Sequence, residues 1–227
     1  MKNSIFQENR KYTFSDYFAM TNPTEEIVAE FGYSFSIEVI DLPLSNNYNP
    51  EIIENLNQTY YTIIPKITLT SEIAKREFLV APLILEIAKL IAVKVKVEYP
   101  LEIDDKLGGV LDYLLTTRET LIVVEAKKKD IDSGFNQLAA ELIALDKTYE
   151  ENDKEKELNP IIYGAVTLGD IWKFAILERK KKHIVKNIAS QTIPRDTEEI
   201  FSILMGIMNN TEKSEDRLTM NNEQLRV

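Results

Sequence analysis

The sequence predicts an α/β fold with a mixed central sheet flanked by helices, preceded by an α+β elaboration. Three observations carry this. Strand-length apolar or alternating runs recur at 93–99, 110–115, 121–127, 161–166 and 171–177. Only residues 116–120 separate the second run from the third, which is short enough for an antiparallel hairpin. Between the third and fourth lies a helical stripe, Phe135, Leu138, Ala139 and Leu142, at i, i+3, i+4 and i+7. A strand, a helix and a further strand in that order read as a crossover between parallel neighbours, so the sheet is mixed.

Composition sets the bounds. The chain of 227 residues is 44% apolar and 28% charged, which is ordinary for one sizeable globular domain with embellishments. It has no cysteine, which excludes disulfides, thiolate nucleophiles and Cys-ligated zinc. The single histidine, His183, removes most imidazole acid–base schemes and reads as a solvated strand or hairpin residue. No GxxxxGK[ST] or GxGxxG run is present, so nucleotide-driven chemistry is not expected. No apolar run reaches the roughly 18 residues that span a bilayer, and no signal-peptide core opens the chain; the expectation is a soluble, cytoplasmic protein without membrane association. The net charge of −10 is awkward for binding nucleic acid, although much of the acid lies in the N-terminal extension, in 150–157 and in the tail.

Taken in order, residues 1–69 form the elaboration. Segments 15–20 and 23–31 read as helices, the second opening at Pro23-Thr24-Glu25-Glu26 and ending at Gly32. Segment 34–42 alternates as a strand, 50–58 is a short helix, and 60–68 is a further β-like run broken by Pro65. The aromatics here (Phe6, Tyr12, Phe14, Tyr17, Phe18, Phe31, Tyr33, Phe35) read as packing. The core spans 70–208. A helix capped by Thr70 or Ser71 is kinked or split at Pro82, and Glu86 three residues before Lys89 forms a surface pair. The strand at 93–99 faces its valines inward and stops at Pro100; Gly108-Gly109 breaks the chain before the next. Asp132-Ser133 caps the crossover helix, and 150–158 is a solvated connector. The basic run Arg179–Lys182 with Lys186, and Lys127–Lys129, are the concentrated positive patches and candidate phosphate contacts. Residues 197–208 form an amphipathic helix that covers the sheet or joins a homodimer, and 209–227 is a polar, disordered tail.

Charged groups inside the buried strands mark the chemistry. In Val110-Leu111-Asp112-Tyr113-Leu114, period two puts Asp112 on the face of Val110 and Leu114; in Leu121-Ile122-Val123-Val124-Glu125-Ala126-Lys127, Glu125 and Lys127 share the face of Leu121 and Val123. An unpaired buried charge costs several kcal/mol, so such groups pair with one another or hold a metal. Two carboxylates suit Mg²⁺ or Mn²⁺, and Lys127 would orient or deprotonate a water beside them. A purely structural ion cluster is the competing account.

The runs Gly109-Val110-Leu111-Asp112-Tyr113, Val123-Val124-Glu125-Ala126-Lys127-Lys128 and Gly134-Phe135-Asn136-Gln137 resemble the core of the PD-(D/E)xK nuclease superfamily. They are closest to the N-terminal nuclease domain of type I restriction motor subunits. Ser71-Glu72 through Arg76-Glu77-Phe78-Leu79-Val80-Ala81-Pro82 is similar to the helix that opens that core, and the likeness covers about residues 70–178. The resemblance implies a restriction-endonuclease-like core and hydrolysis of DNA. Asp112 and Glu125 would be metal ligands with the Ala126 carbonyl as a third. Lys127 would be the catalytic lysine, Glu72 the accessory helix acid with Glu77 its competitor, and Gln137 the helix glutamine near the scissile phosphate. Two departures stand: Leu111, not proline, precedes Asp112, and Glu141 occupies a position usually held by tyrosine. The alternative function is a nuclease fold that no longer cuts and serves as a binding or regulatory module.

Overall fold

A computed structural model describes residues 4–117, 120–127, 129–152 and 159–209. The expected 150–158 connector and the 209–227 tail lie largely outside them. A mixed, open sheet of seven strands forms the centre: β1 (Ser34–Glu38), β2 (Lys94–Glu102), β3 (Gly108–Thr116), β4 (Leu121–Ala126), β5 (Ile161–Thr167), β6 (Ile171–Glu178) and β7 (His183–Asn187). Their spatial order is β1-β7-β6-β5-β4-β3-β2, and the short β8 (Gln191–Thr192) pairs with β6 beside this path. The β1–β7 and β4–β5 pairs are parallel and the rest antiparallel. The expected hairpin and crossover are both present.

Helices cover both faces. On one lie α1 (Phe14–Ala19), α2 (Thr24–Ala29) and the crossover helix α6 (Ile131–Asn152), whose Tyr17, Ile27, Phe135 and Leu138 pack with Leu114, Val123 and Val166 of the sheet. On the other lie α3 (Glu51–Ile63), α5 (Ala81–Leu90) and α7 (Thr197–Met208), packing Tyr60, Leu83 and Phe201 on Tyr113, Val124 and Trp172. Period-two alternation is visible within β4, where Val123 joins the first core and its neighbours Ile122 and Val124 the second. The aromatics Phe6, Tyr12, Phe14, Tyr17 and Tyr33 are buried packing groups, with Phe6 and Tyr12 edge to face at 5.0 Å. Among the described residues no helix is long and apolar enough to cross a membrane.

Several local expectations are corrected. Residues 60–68 are not a strand: α3 continues to Ile63 and a 3₁₀ turn follows over Ile64–Lys66. Ile53, Leu56 and Tyr60 recur at helical spacing on a buried face, and the Tyr60 hydroxyl donates to the Leu79 carbonyl at 2.9 Å; this tertiary contact overrides the β-branched composition. Pro100 does not stop β2, because β2 is a sheet edge and needs no N–H on its open side; Pro100 pairs with Val110. The same edge leaves Val97 54% exposed rather than inward. Gly108 and Gly109 lie inside β3, paired with Glu102 and Leu101. The start of α6 is held by Asp130, whose carboxylate accepts from the Ser133 N–H at 3.1 Å and hydroxyl at 2.5 Å.

Helix α7 is not amphipathic in its setting: residues 200–208 are buried on every side. Its outer face is sealed by the segment after β1, with Ser45 N–H donating to the Ser202 carbonyl at 3.0 Å and the Ser202 hydroxyl to Asn46 Oδ1 at 3.0 Å. It therefore leaves no open apolar stripe for a partner. Gly206 permits this closure, since a Cβ there would stand 2.3 Å from the Pro43 carbonyl oxygen. Gly206→Ala is expected to cost about 1–3 kcal/mol through overpacking against backbone, visible as a lower urea midpoint with an unchanged slope.

Candidate active site

The site forms where β3 and β4 part. Their register runs from Thr116 opposite Leu121 to Tyr113 opposite Val124 and goes no further. Beyond it, the Ala126 N–H donates to Asp112 Oδ2 at 2.9 Å, so the side chain takes the place of the missing ladder partner. Across the other edge, Glu98 of β2 lies between the Val97–Tyr113 and Tyr99–Leu111 pairs with φ at +50°, a left-handed conformation strained for any residue but glycine. The parity of β3 shifts at this point. Leu111 and Leu114 pack in one core and Tyr113 in the other, so Asp112 does not simply follow the face of Leu114. Burial pushes the Asp112 carboxyl up, against the Ala126 N–H and the charges of Arg76 and Lys127, and it remains above its ordinary value.

Glu125 points from β4 toward α6 and is 1% exposed. Its Oε1 accepts from Gln137 Nε2 at 2.7 Å and meets Lys127 Nζ at 2.5 Å, whereas Oε2 has no hydrogen-bond partner. Burial, and then the charge of Asp112, push its pKa up to about 7 despite Lys127. Lys127 is anchored through its backbone N–H, which donates to the Thr167 carbonyl at 2.7 Å. Its stem runs past Gly134, where a Cβ would lie 3.0 Å from Lys127 Cγ and 2.8 Å from Val166 Cγ2. Burial works against the Lys127 charge, but Glu125, Glu72 and Asp112 more than offset it and raise its pKa above the ordinary lysine value. The group is thus an ammonium in this state, which makes it an electrostatic and proton-donating group rather than a ready base.

Gln137 bridges two acids. The same Nε2 that donates to Glu125 donates to Glu141 Oε1 at 2.9 Å. Glu141 is fully buried, and burial together with the Glu125 charge raises its pKa well above the usual carboxylate range. Glu125 Oε2, Gln137 Oε1 and Glu141 Oε2 are all buried without partners. A proton kept on Glu141 hydrogen-bonds Glu125, so the raised carboxyl is part of how this pocket of acids is satisfied.

The structure therefore joins Asp112, Glu125, Lys127 and Gln137 in one network. Glu72, the first residue of α4 (Glu72–Lys75), is half-buried and lies within electrostatic reach of Lys127; Glu77 is exposed. Ser71 is the cap of α4, accepting from the Ala74 N–H at 3.0 Å. Two members escaped sequence reasoning. Arg76 places Nη1 3.1 Å from Asp112 Oδ1, and Glu141 belongs to the buried acid pair. The signal for Arg76 is its spacing one helical turn after Glu72; the signal for Glu141 is its place one turn after Gln137.

The donor set fits a small hard cation. Among the described residues no three or more His, Asp or Glu side chains are grouped to hold a metal. The candidate ligands are instead two carboxylates and the Ala126 carbonyl, with the buried, unpartnered Glu125 Oε2 among their oxygens. Few protein ligands and a shell completed by water are the habit of Mg²⁺. Most of the basic run after β6 is paired: Arg179 with buried Asp146 at 2.6 Å, Lys181 with Glu178 at 2.8 Å, Lys182 with Glu150 at 3.5 Å and Lys186 with Asp132 at 2.5 Å, while Lys180 is exposed. Lys128 lies outside the described residues. His183 sits between the Ser34 and Ser36 hydroxyls at 2.7 and 2.8 Å, a structural role on the β1–β7 seam. No protein-family model matches the chain, and no curated protein matches it in sequence.

Proposed function

We propose that the protein is a metal-dependent nuclease with a restriction-endonuclease-like core, hydrolysing phosphodiester bonds of DNA. One observation carries the reading: Asp112 and Glu125 come from strands that part at the site, and Lys127 is held 2.5 Å from Glu125. A purely structural ion pair needs one acid and one base. Here buried Glu125 and the partly buried Asp112 and Glu72 all act on one lysine, more negative charge than a structural ion pair needs and suited to a cation of higher charge.

In this reading Asp112, Glu125 and the Ala126 carbonyl hold Mg²⁺ or Mn²⁺. The bound ion supplies Lewis acidity toward the phosphate and acidifies a water. Lys127 orients that water and offers a positive charge to the phosphorane-like transition state, worth most in a site of low polarisability. Gln137 fixes the Glu125 carboxylate by hydrogen-bonding Oε1, leaving Oε2 for ligation. Glu72 helps keep Lys127 charged.

The test is cleavage of plasmid and single-stranded DNA with Mg²⁺ or Mn²⁺, with Asp112→Ala alongside. Metal-dependent nicking that the substitution abolishes supports the nuclease. A second reading, a fold retained for binding, is favoured by the net charge of −10 and by the cations already seated on both acids. Cleavage absent with every metal and substrate, together with no divalent-cation affinity, would favour it.

A further inference from the structure

Arg76 is the feature that neither the motif nor the proposed chemistry absorbs. It follows α4 and opens a π-helical turn, Arg76–Val80, that joins α4 to α5. Such wide turns break helical register and re-aim a side chain, and they concentrate at functional positions. Beside this turn the guanidinium reaches Asp112 of β3 and Glu98 of β2, where β3 parts from β4. Nη1 lies 3.1 Å from Asp112 Oδ1 and Nη2 lies 3.5 Å from Glu98 Oε1, with Cζ 5.4 Å from the Tyr113 ring centroid. Glu98 reaches Arg76 from the left-handed backbone position opposite Asp112. Two independent irregularities, a π-turn and a strained residue in mid-strand, thus converge on one side chain only 14% exposed.

We infer that Arg76 is a displaceable counter-cation: it occupies Asp112 while the site is empty, and serves as a phosphate clamp once a divalent ion takes that carboxylate. This rests on the nuclease reading and adds a positioning residue to it. The physical argument is competition for one set of lone pairs. A backbone N–H engages Oδ2 and the guanidinium stands on Oδ1, where its positive charge opposes a dication, so metal binding through Oδ1 displaces Arg76. The released fork keeps Glu98 as its tether and stays beside the metal carboxylates. There it presents paired N–H donors whose geometry matches the two non-bridging oxygens of a phosphodiester. The same exchange explains how an acidic chain admits DNA, because the cation for the phosphate is exposed only when the acids are neutralised.

The experiment is a calorimetric titration of metal-free protein with Mn²⁺, paired with steady-state cleavage of a single-stranded oligonucleotide. Arg76→Met is expected to bind Mn²⁺ about tenfold more tightly than wild type, because a competing cation is gone, and to raise KM for the oligonucleotide about tenfold with the loss of a charged contact. Arg76→Lys keeps the charge without the fork; it should bind Mn²⁺ much as wild type does and still show the raised KM, and it stands as the test should Arg76→Met fail to fold. Unchanged or weaker Mn²⁺ binding by Arg76→Met, or an unchanged KM in Arg76→Lys, overturns the inference while leaving the nuclease intact. A wild type that neither binds Mn²⁺ nor cuts overturns both.

Discussion

Glu141→Gln raises the melting temperature of the protein at pH 8 and changes it little at pH 4.5. Both Glu125 and Glu141 are buried with their pKa values raised, Glu125 to about 7 and Glu141 well above the usual range. Below the ordinary glutamate pKa both carboxyls are protonated whether the chain is folded or unfolded, so they contribute nothing to the pH dependence. As pH rises further, the unfolded chain releases its protons while the folded one still holds them, and stability falls. The loss grows until the folded groups also ionise. For Glu125 the window runs from the ordinary glutamate value to about 7, a penalty on the order of 3 kcal/mol at one pKa unit per 1.4 kcal/mol.

Glutamine at 141 is neutral at every pH and nearly isosteric. Its carbonyl still accepts from Gln137, and its NH₂ offers a donor to the orphaned oxygens nearby. It removes the Glu141 share of the penalty, and its NH₂ can keep the hydrogen bond that Glu141 gives Glu125. The gain at pH 8 should reach several °C, since about 1 kcal/mol moves the midpoint of a domain this size by roughly 2–4 °C. Differential scanning calorimetry from pH 4.5 to 8 reads both the gain and the flatter slope. A variant melting at or below wild type at pH 8 would mean that Glu141 is held charged by a partner, not neutral by burial.

The Glu141 prediction also shows where sequence reasoning stops. Alternation in β4 was legible because Val123 meets one core and Ile122 and Val124 the other, whereas in β3 it breaks at Asp112; the crossover was legible because a helix-period stripe lay between strands. Glu141 falls outside the stripe Phe135, Leu138, Ala139 and Leu142, which marks only one side of the helix as buried. In the fold α1 and α2 cover α6 from outside, and residues 134–146 are buried all round, with Gln137, Glu141 and Asp146 among them. No periodicity in α6 reports what other elements will place over it. Arg76 was hidden for a related reason. Its aim depends on a π-turn and on the left-handed Glu98, neither of which propensity encodes. The acids and the lysine were visible because charge in an apolar strand breaks a local rule; their neutralising partners break none.

The second large effect separates the two roles inside the ExK run. Lys127→Ala is expected to lower the cleavage rate at least about a hundredfold, the usual scale for losing a preorganised charge or proton donor at the transition state. It should hold a divalent cation at least as tightly as wild type, because the ammonium 2.5 Å from Glu125 Oε1 competes with the ion for that carboxylate. The titration belongs at pH 8.5. Without Lys127, the Glu125 carboxyl loses the charge that opposes burial and its pKa climbs above about 7, so a neutral buffer would confuse protonation with lost affinity. Asp112→Ala inverts the pattern, losing the cation and the cleavage together. Equal loss of metal binding in both variants would make Lys127 a structural member of the acid cluster, and a Lys127→Ala protein that cuts at the wild-type rate would remove it from the chemistry altogether.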